Sequence, residues 1–494
     1  MSRDAGGVSD QARLARSLLE AGRAAEAVVA AQAAAARDPL DAEAAAVVAE
    51  ASAALLSGDQ RLSMLELTAA MQPDQDDPQL DLADAYLELD RPADAERVLK
   101  VFLARAPDHP VAHQSLGQAY LSVGMYDAAE HYSKAALAHD PGLVIARQTL
   151  ASVAEARGDL AAAREQLALA YARQSLFPQP AADPELTVLV LVTGESGNIP
   201  LTHLMPRGRY SSHVWYAEFA RDDEAPPPVD LVLNAIGDPD VAGPLAPAVR
   251  RYLARAQVPL LNPPDKVVLT GRDRIAERLA GIEGLVVPAV RLLPPRAQRS
   301  GDWAAVMLAQ GMSLPVLVRP AGSHGGKGLS LVQDAAGLAA AGDAITGEAY
   351  VTAFHDFASA DGFYRKYRMI FVGREPLPYH LAISAGWLVH HETSGMEADT
   401  ARQAEELAFL ADPKTALGHV AYAAIEAVGR RLDLDYCGID FSLLPDGRVL
   451  LFEANATMLA HPEAPDSPFA AKAPYVEAIL ERFRAMLRAK AGRA

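Results

Sequence analysis

The sequence is poor in cysteine, with a single one, Cys437, among 494 residues. One cysteine excludes a disulfide framework within the chain and any zinc or iron–sulfur site that needs several cysteines. Long hydrophobic runs are also missing: half of the residues are hydrophobic, but no run approaches the ~20 residues that cross a bilayer. The first residues carry charges where a signal peptide has an apolar segment. We therefore expect a cytoplasmic protein.

Basic residues are outnumbered by acidic ones, 45 against 63, which gives a net charge of −18. A surface of this charge repels nucleic-acid backbones and anionic lipids, so we expect neither nucleic acid nor a membrane as partner. The large hydrophobic fraction excludes wholesale disorder. At roughly 100–200 residues per domain, the length predicts two to four domains.

Glycine and tryptophan are scarce in the first part of the chain. Only eight of 34 glycines precede residue 180, and all three tryptophans follow it. The Ala-rich first part has apolar residues at three- and four-residue spacing, which predicts helices, whereas the later part mixes β-branched runs with Gly and Pro. Three prolines within residues 177–184 predict a linker. We place the segments at 8–178 (helical array), 179–185 (linker), 186–264 and 265–494.

The first part repeats itself every 34 residues. Prolines recur at this interval, at Pro39, Pro73, Pro107 and Pro141. Apolar residues do the same, at Leu14, Val48, Leu82, Leu116 and Leu150. A 34-residue helix–turn–helix period that ends on proline resembles the tetratricopeptide (TPR) repeat, most specifically over residues 77–175. The resemblance implies an all-α superhelix of about five units.

A TPR superhelix usually offers a concave groove to a peptide or to another protein. The first 180 residues contain 15 basic and 26 acidic residues, a net charge of −11. This charge favours a basic or neutral partner in the groove. A dimerisation or docking module is the alternative interpretation, and it leaves a homo-oligomer open.

Three short apolar runs then alternate with an amphipathic helix and predict a parallel α/β sheet. The runs are residues 187–192, 229–236 and 258–262. The first is followed by a glycine-containing loop at 193–198. A loop in this place either binds a ligand or is an ordinary turn, and the sequence leaves both open.

A glycine-rich loop follows the strand predicted at residues 314–320. Its letters, AGSHGGKG (321–328), include four glycines and Lys327. Glycine lets backbone amides wrap phosphate oxygens. A strand and not a helix follows the loop, so the loop is not of the Walker A type. We expect a flap that closes over a triphosphate, with a plain hairpin turn as the alternative.

A hairpin near the C-terminus carries two acidic residues on facing strands. Asp446-Gly447 is the signal of a two-residue turn, and this turn pairs residues whose numbers sum to 893. Asp440 then faces Glu453, and Asn455 lies on the same face. The register predicts apolar pairs on the other face: Ile439–Ala454, Phe441–Phe452 and Leu443–Leu450. Facing carboxylates repel each other, so we expect them to bind Mg²⁺; a metal-free acid/base dyad is the alternative.

Four segments together resemble the ATP-grasp ligases: residues 262–266, 318–320 with the glycine loop, 368–373 and 438–455. The resemblance extends over about residues 185–480. It implies a pre-ATP-grasp α/β domain, an α+β ATP-grasp fold and an ATP-dependent carboxylate–amine (or carboxylate–thiol) ligase that forms an acylphosphate and releases ADP. A phosphotransferase and a non-catalytic, nucleotide-binding TPR scaffold are the alternatives.

The resemblance also implies which residues bind the cofactors. Asp440, Glu453 and Asn455 would bind two Mg²⁺ ions. Lys266 and Arg319 would contact the α- and β-phosphates of ATP. The flap and the strand whose backbone reads adenine would supply the other contacts: Ser323, His324, Gly325, Gly326, Lys327, Gly328, Thr352, Ala353 and Phe354.

The expected catalytic residues depart from the family pattern, because Gly438 stands where the superfamily often has arginine. Charge in the transition state must then be met by other residues, for which the candidates are Arg365, Lys366, Arg368, His380 and Lys327. Of these, Arg368 would hold the γ-phosphate or the acylphosphate. The predicted hinge also lacks its usual acid and leaves Asp356 or Asp361 as the ribose contact. We interpret His391 as a substrate contact and His390 as structural or exposed.

Overall fold

The structure, a computed structural model, describes residues 10–20, 27, 29–31, 33–34, 47, 58–72, 75–206, 208–239, 244–299, 302–322, 326, 328–389, 394–464 and 466–493. The chain forms two compact units. The first consists of Met1–Thr187, Gly208–Pro226 and Leu245–Val249, and the second of Val188–Arg207, Pro227–Pro244 and Arg250–Ala494.

The first unit is dominated by helical hairpins. Its described helices are α1 Asp10–Glu20, α2 Gly58–Met71, α3 Asp76–Glu88, α4 Pro92–Arg105, α5 Pro110–Ser122, α6 Tyr126–His139, α7 Val144–Ala156 and α8 Leu160–Tyr171. Proline opens α4 and α5, where no backbone N–H is needed. Gly124 turns the chain between α5 and α6 with a positive φ of 73°.

The 34-residue period is explained by the core of this unit. Leu82 and Leu116, one repeat apart, are both buried and pack with Leu99, Phe102 and Ala129. Helix pairs therefore bury the same face in successive repeats, which confirms the predicted TPR region. Three of the repeat positions, Pro39, Val48 and Pro73, lie outside the described residues.

Helices α5 and α6 approach each other closely at Gly117. A Cβ atom at this position would lie 2.5 Å from the Ser133 Oγ atom. We expect Gly117→Ala to lower the free energy of unfolding of this repeat by about 1–3 kcal/mol, because the added methyl group overpacks the helix interface. Hydrogen exchange of peptides from α5 and α6 in the full chain measures the effect.

The second substitution Ser133→Ala removes the atom that the new methyl group meets. The double variant should therefore recover most of the lost protection. If Gly117→Ala alone leaves the exchange of α5 and α6 unchanged, the close approach does not limit this repeat.

Two antiparallel strands that are not consecutive in the chain follow the last helix of the first unit. Strand β1, Leu176–Gln179, pairs antiparallel with β3, Tyr210–Tyr216. The Tyr216 ring stacks on Tyr171 of α8 at a centroid distance of 3.9 Å, and the Gln148 amide of α7 donates to both hydroxyl groups. The two strands thus pack against the last helix pair. Strand β1 overlaps the start of the proline-rich segment, and the predicted domain bounds remain a prediction.

The second unit begins with parallel strands. Strands β2 Leu186–Val192, β4 Leu231–Asn234 and β5 Leu260–Leu261 lie side by side in that order. The helix α9, Pro247–Arg255, lies between β4 and β5 in the chain. The predicted parallel α/β arrangement is confirmed.

The next sheet has four strands in the order β7-β10-β8-β9. Their bounds are β7 Val290–Leu293, β8 Val316–Pro320, β9 Ser330–Val332 and β10 Ala349–Ala353. Helices α12 Trp303–Ala309 and α13 Ala335–Ala344 contribute apolar residues to its core. Strands β8 and β9 are antiparallel neighbours, so the glycine loop joins two paired strands, as predicted.

The last sheet has five strands in the order β12-β11-β13-β14-β6. Their bounds are β6 Leu285–Val286, β11 Tyr364–Val372, β12 Glu375–Ser384, β13 Tyr436–Leu443 and β14 Val449–Asn455. The other described α-helices are α10 Pro264–Val267, α11 Ile275–Arg278, α14 Thr400–Ala411, α15 Pro413–Leu417, α16 His419–Leu432 and α17 Ala473–Lys490. One face packs against helices through residues such as Met369, Ile439 and Phe409, which leaves the opposite face for polar side chains.

The predicted fold class, a helical TPR region followed by α/β and α+β sheets, is confirmed. Among the described residues, none of the helices has the length and hydropathy that a bilayer crossing requires.

Candidate active site

The second unit contains a cavity of about 300 Å³ that is lined by residues of the four-stranded sheet and of the last, five-stranded sheet. Charged side chains gather at its wall, namely Arg272, Arg319, Lys366, Arg368, Asp238, Asp440 and Glu453. Aromatic and apolar side chains line another part, among them Phe354, Phe357, Trp387 and Leu388. A cavity with apolar walls and a few convergent charges is the usual form of a small-ligand site.

The carboxylate hairpin is built differently from the prediction. Leu444 and Arg448 close it through a hydrogen bond from Leu444 N to Arg448 O of 2.8 Å, so three residues form the turn, and Gly447 takes a positive φ of 82°. A three-residue turn with a left-handed last residue is a common hairpin loop. The prediction of a two-residue turn is wrong.

A β-bulge at Phe452 then shifts the register back. Phe441 pairs with Leu451 instead of the predicted Phe452, but Asp440 faces Glu453 as expected. The bulge takes Phe452 out of the predicted apolar pair and leaves it 36% exposed, beside Phe357. Leu443 correspondingly faces Val449 and not Leu450. The facing carboxylates are confirmed, although the turn that predicted them is not.

Asp440 is enclosed by cations from the neighbouring strand β11. Its carboxylate accepts hydrogen bonds from Arg368 Nε at 2.6 Å and Arg368 Nη2 at 2.9 Å, and Lys366 Nζ lies 2.8 Å from it. Asp440 is only 4% exposed. Burial alone would raise the pKa of this carboxyl, but the charges of Lys366 and Arg368 outweigh it and hold the pKa well below its usual range. Asp440 is therefore ionised at neutral pH.

Glu453, across from Asp440, has a different set of partners. Its Oε1 accepts from Arg272 Nη2 at 2.9 Å and from Asn455 Nδ2 at 3.1 Å. The Asn455 side-chain oxygen accepts from the backbone and hydroxyl groups of Thr457 at 3.0 and 3.2 Å. The two carboxylates thus form separate ion pairs at the wall of one cavity.

Gly438 has no room for a side chain. A Cβ atom there would lie 2.5 Å from Met458 Cγ and 2.8 Å from the backbone oxygen of Met369. This position is therefore closed to any larger residue in this protein. Arg368, paired in register with Asp440 on the next strand, instead brings a guanidinium group to the cavity.

The structure brings most of the predicted binding residues to the cavity. Arg319, Gly326, Thr352, Ala353 and Phe354 line it together with Arg368 and the three predicted metal ligands. Gly328 is not among the lining residues, and its positive φ of 69° serves the turn between β8 and β9. Four predicted flap residues lie outside the described residues: Ser323, His324, Gly325 and Lys327.

Lys266 is not brought to the cavity. The single turn of α10 directs its Nζ to Asp433, at 2.5 Å, and the same carboxylate binds Arg374. Its predicted contact with the α- and β-phosphates is therefore not supported by the geometry. Arg272, six residues later, reaches the cavity instead.

His380 is also held away from the cavity lining, although it pairs in register with Arg368. Its Nδ1 lies 2.5 Å from Glu406 Oε1, and Lys472 Nζ lies 3.3 Å from the same carboxylate oxygen. Burial alone would raise the pKa of the Glu406 carboxyl, but His380 and Lys472 lower it by more than burial raises it. The pKa of Glu406 is therefore below its usual value. This network ties α14 to the sheet, and a positioning role fits His380 better than contact with the phosphoryl group.

The candidate ribose contacts are engaged elsewhere. Asp361 binds the guanidinium of Arg365, whose other partner is Glu405, and Asp356 accepts from the backbone of Ala358. None of these side chains lines the cavity. His355, the residue after Phe354, lines the cavity. His390 and His391 lie outside the described residues.

Arg272 and Trp387 are among the cavity residues that the sequence did not indicate. Arg272 stands between Gly271 and Asp273 in an irregular segment, and Trp387 follows β12 in a loop. Neither belongs to a motif, and only the folded chain shows that Trp387 lies edge-on to Phe354 with ring centroids 6.0 Å apart. Their positions depend on which loops meet, which local sequence does not encode.

The donor atoms at the cavity fit a hard divalent cation. Asp440, Glu453 and Asn455 offer oxygens, which Mg²⁺ prefers. In the described part of the chain, no three His, Cys, Asp or Glu side chains converge as a complete metal site. Further coordination positions would therefore fall to substrate phosphates and water, an arrangement that Mg²⁺ commonly adopts.

Known proteins match the two parts of the chain separately. Residues 62–119 match the family model of the tetratricopeptide repeat. A thermophilic TPR protein of Thermus thermophilus is 25% identical over 34% of this chain and 91% of that chain, with a TM-score of 0.27.

Ligases match the later part of the chain. The D-alanine–D-alanine ligase of Bacillus anthracis, solved with ATP, is 12% identical over 63% of this chain and 99% of that chain, with a TM-score of 0.36. The VanG D-Ala:D-Ser ligase of Enterococcus faecalis is 13% identical over 61% of this chain and 99% of that chain, with a TM-score of 0.38. TM-scores below 0.5 leave the function to be inferred from this chain's own residues.

Proposed function

We propose that this protein is an ATP- and Mg²⁺-dependent carboxylate–amine ligase that acts through an acylphosphate and releases ADP. The observation that carries the proposal is the meeting, at one cavity, of Arg319, Arg368, Asp440 and Glu453 with Gly326 of the glycine-rich connection. Polyphosphates need cations and backbone amides, and the two facing carboxylates suit Mg²⁺.

The nucleotide is proposed to lie with its base between apolar walls. Phe354 and Trp387 offer ring surfaces, and Thr352 and Ala353 at the end of β10 also line the cavity. Arg319 and the amide of Gly326 would contact the phosphates. Asp440, Glu453 and Asn455 would hold Mg²⁺, which neutralises phosphate charge when bound.

The proposed reaction makes use of the charges at the cavity wall. A substrate carboxylate oxygen bonds to the γ-phosphorus while the bond to the ADP oxygen breaks. An amine then attacks the acyl carbon, inorganic phosphate leaves, and the amine loses a proton. Arg368 would stabilise the negative charge on the transferred phosphoryl group in both steps. The TPR groove is proposed to recruit the peptide or protein that carries one of the reacting groups.

Calorimetric titration with a non-hydrolysable ATP analogue, with and without Mg²⁺, tests nucleotide binding. ADP release is then measured with pools of carboxylates and amines. Release that needs both substrates supports the ligase; release with one phosphorylated product and no amine dependence indicates a phosphotransferase. Mg²⁺-dependent binding without any release indicates a nucleotide-binding scaffold, and no binding at all refutes the proposal.

Variants of Arg272 and Lys266 compare a residue that lines the cavity with a residue nearby in the sequence that does not. We expect Arg272→Met to weaken binding of the Mg²⁺–nucleotide analogue by about tenfold or more, since a charged hydrogen bond contributes roughly 1.5–3 kcal/mol. Lys266→Met, which removes the same charge outside the cavity, should change the affinity by less than about twofold. An equal loss in both variants would show that Lys266 contacts the nucleotide after all.

A further inference from the structure

Lys366 and Arg368 bind the same carboxylate in different ways. Two residues apart on β11, they project from the same face of the strand, and Asp440 lies between their charged groups. Arg368 makes two hydrogen bonds to it, whereas Lys366 makes one contact at 2.8 Å. Both cations also line the cavity.

The charges of this group oppose the entry of either ligand alone. Lys366, Arg368 and Arg272 provide three positive charges against the two carboxylates of Asp440 and Glu453. A divalent cation that binds Asp440 must displace a cation already in contact with it. A polyphosphate that draws these cations away leaves the carboxylates facing each other without counter-ions.

We propose that Lys366 is a positioning residue that exchanges between Asp440 and a nucleotide phosphate when Mg²⁺ and the nucleotide enter together. The inference rests on the proposed function and specifies how that site is loaded. Lysine suits the exchange because its ammonium is a compact charge on a flexible stem. Arg368, held by two hydrogen bonds in a planar geometry, keeps its place beside Asp440.

Exchange of this kind makes the two ligands cooperative. Mg²⁺ frees Lys366 for the phosphate, and the phosphate frees Asp440 for Mg²⁺, so each raises the affinity for the other by the same factor. Coupling between sites is typically about 5- to 150-fold. Metal alone and nucleotide alone are therefore expected to bind weakly.

The test uses the full chain and two probes: Mn²⁺ followed by electron paramagnetic resonance, and a non-hydrolysable ATP analogue followed by calorimetry. Lys366→Met should tighten binding of Mn²⁺ alone by about fivefold or more, weaken binding of the analogue alone, and reduce the coupling between them. Lys366→Arg keeps the charge and should not tighten Mn²⁺ binding. Lys134→Met, which removes an exposed lysine of α6, is the control for charge.

A lysine with a purely structural role would not make metal binding tighter on removal. If wild-type protein binds both probes but Lys366→Met leaves Mn²⁺ affinity unchanged or weaker, the exchange is refuted and the proposed function stands. If wild-type protein binds neither probe, the proposed function itself fails. Coupling of equal size in wild type and Lys366→Met also refutes the exchange.

Discussion

Asp440→Asn is expected to abolish nucleotide-dependent turnover and to destabilise the second unit. Asparagine keeps the shape of the side chain but leaves Lys366 and Arg368 without the carboxylate that both contact. Removing one partner of a buried ion pair costs about 3–5 kcal/mol. ADP release should fall on the order of 10²-fold or more, as when a transition-state contact is lost. Thermal unfolding and an ADP assay on the same preparation measure both effects.

Asp446→Asn is the matched control, since Asp446 lies exposed in the turn of the same hairpin and pairs with Arg448 of that turn. It should change turnover and stability little. Loss of turnover in both variants would point to general damage of the hairpin. Wild-type turnover in Asp440→Asn would remove Asp440 from the active site.

Acid should erase the stability difference between wild type and Asp440→Asn. The pKa of Asp440 is lowered in the folded protein, because Lys366 and Arg368 outweigh the effect of burial. A lowered pKa stabilises the fold above the unfolded value of ~3.9, and this contribution is lost as the pH falls through the folded value. The unfolding free energies of the two proteins should therefore differ by a constant amount from pH 7 to about pH 5, begin to converge below about pH 4, and coincide only below the pKa of folded Asp440.

Gly438→Ala is expected to be the most damaging small substitution near the site. Its Cβ would lie 2.5 Å from Met458 Cγ and 2.8 Å from the Met369 backbone oxygen. Overpacking of this kind costs about 1–3 kcal/mol, occasionally more. Because Met458 follows Asn455 by three residues, displacing it should also weaken Mg²⁺-dependent nucleotide binding. Thermal unfolding and calorimetry measure the two effects.

Gly347→Ala provides the control, because a Cβ atom there would meet nothing within 4 Å. The double variant Gly438→Ala with Met458→Ala should recover only part of the stability, since the Met369 backbone oxygen remains in place. Full recovery would show that crowding by Met458 alone closes the position. If Gly438→Ala is as stable as wild type, strands β11 and β13 can move apart around the new methyl group at little cost in free energy.

Local sequence patterns predicted much of the fold. The 34-residue spacing that relates Leu82 to Leu116 predicted the helical repeats, because each helix pair must bury the same face. The Asp446-Gly447 turn signal placed Asp440 opposite Glu453 on the facing strand. It could not reveal that a three-residue turn and the bulge at Phe452 offset each other, since either change alone would have separated the carboxylates.

The sequence by itself determined the elements: helical repeats, strands, the glycine-rich connection and the two carboxylates. These follow from periodicity and backbone chemistry within a few residues. The tertiary structure decided which charges meet, bringing Arg272 and Trp387 to the cavity, turning Lys266 to Asp433 and leaving no space beside Gly438. These contacts join residues that are far apart in the chain. Their geometry is set only when the sheets pack against each other.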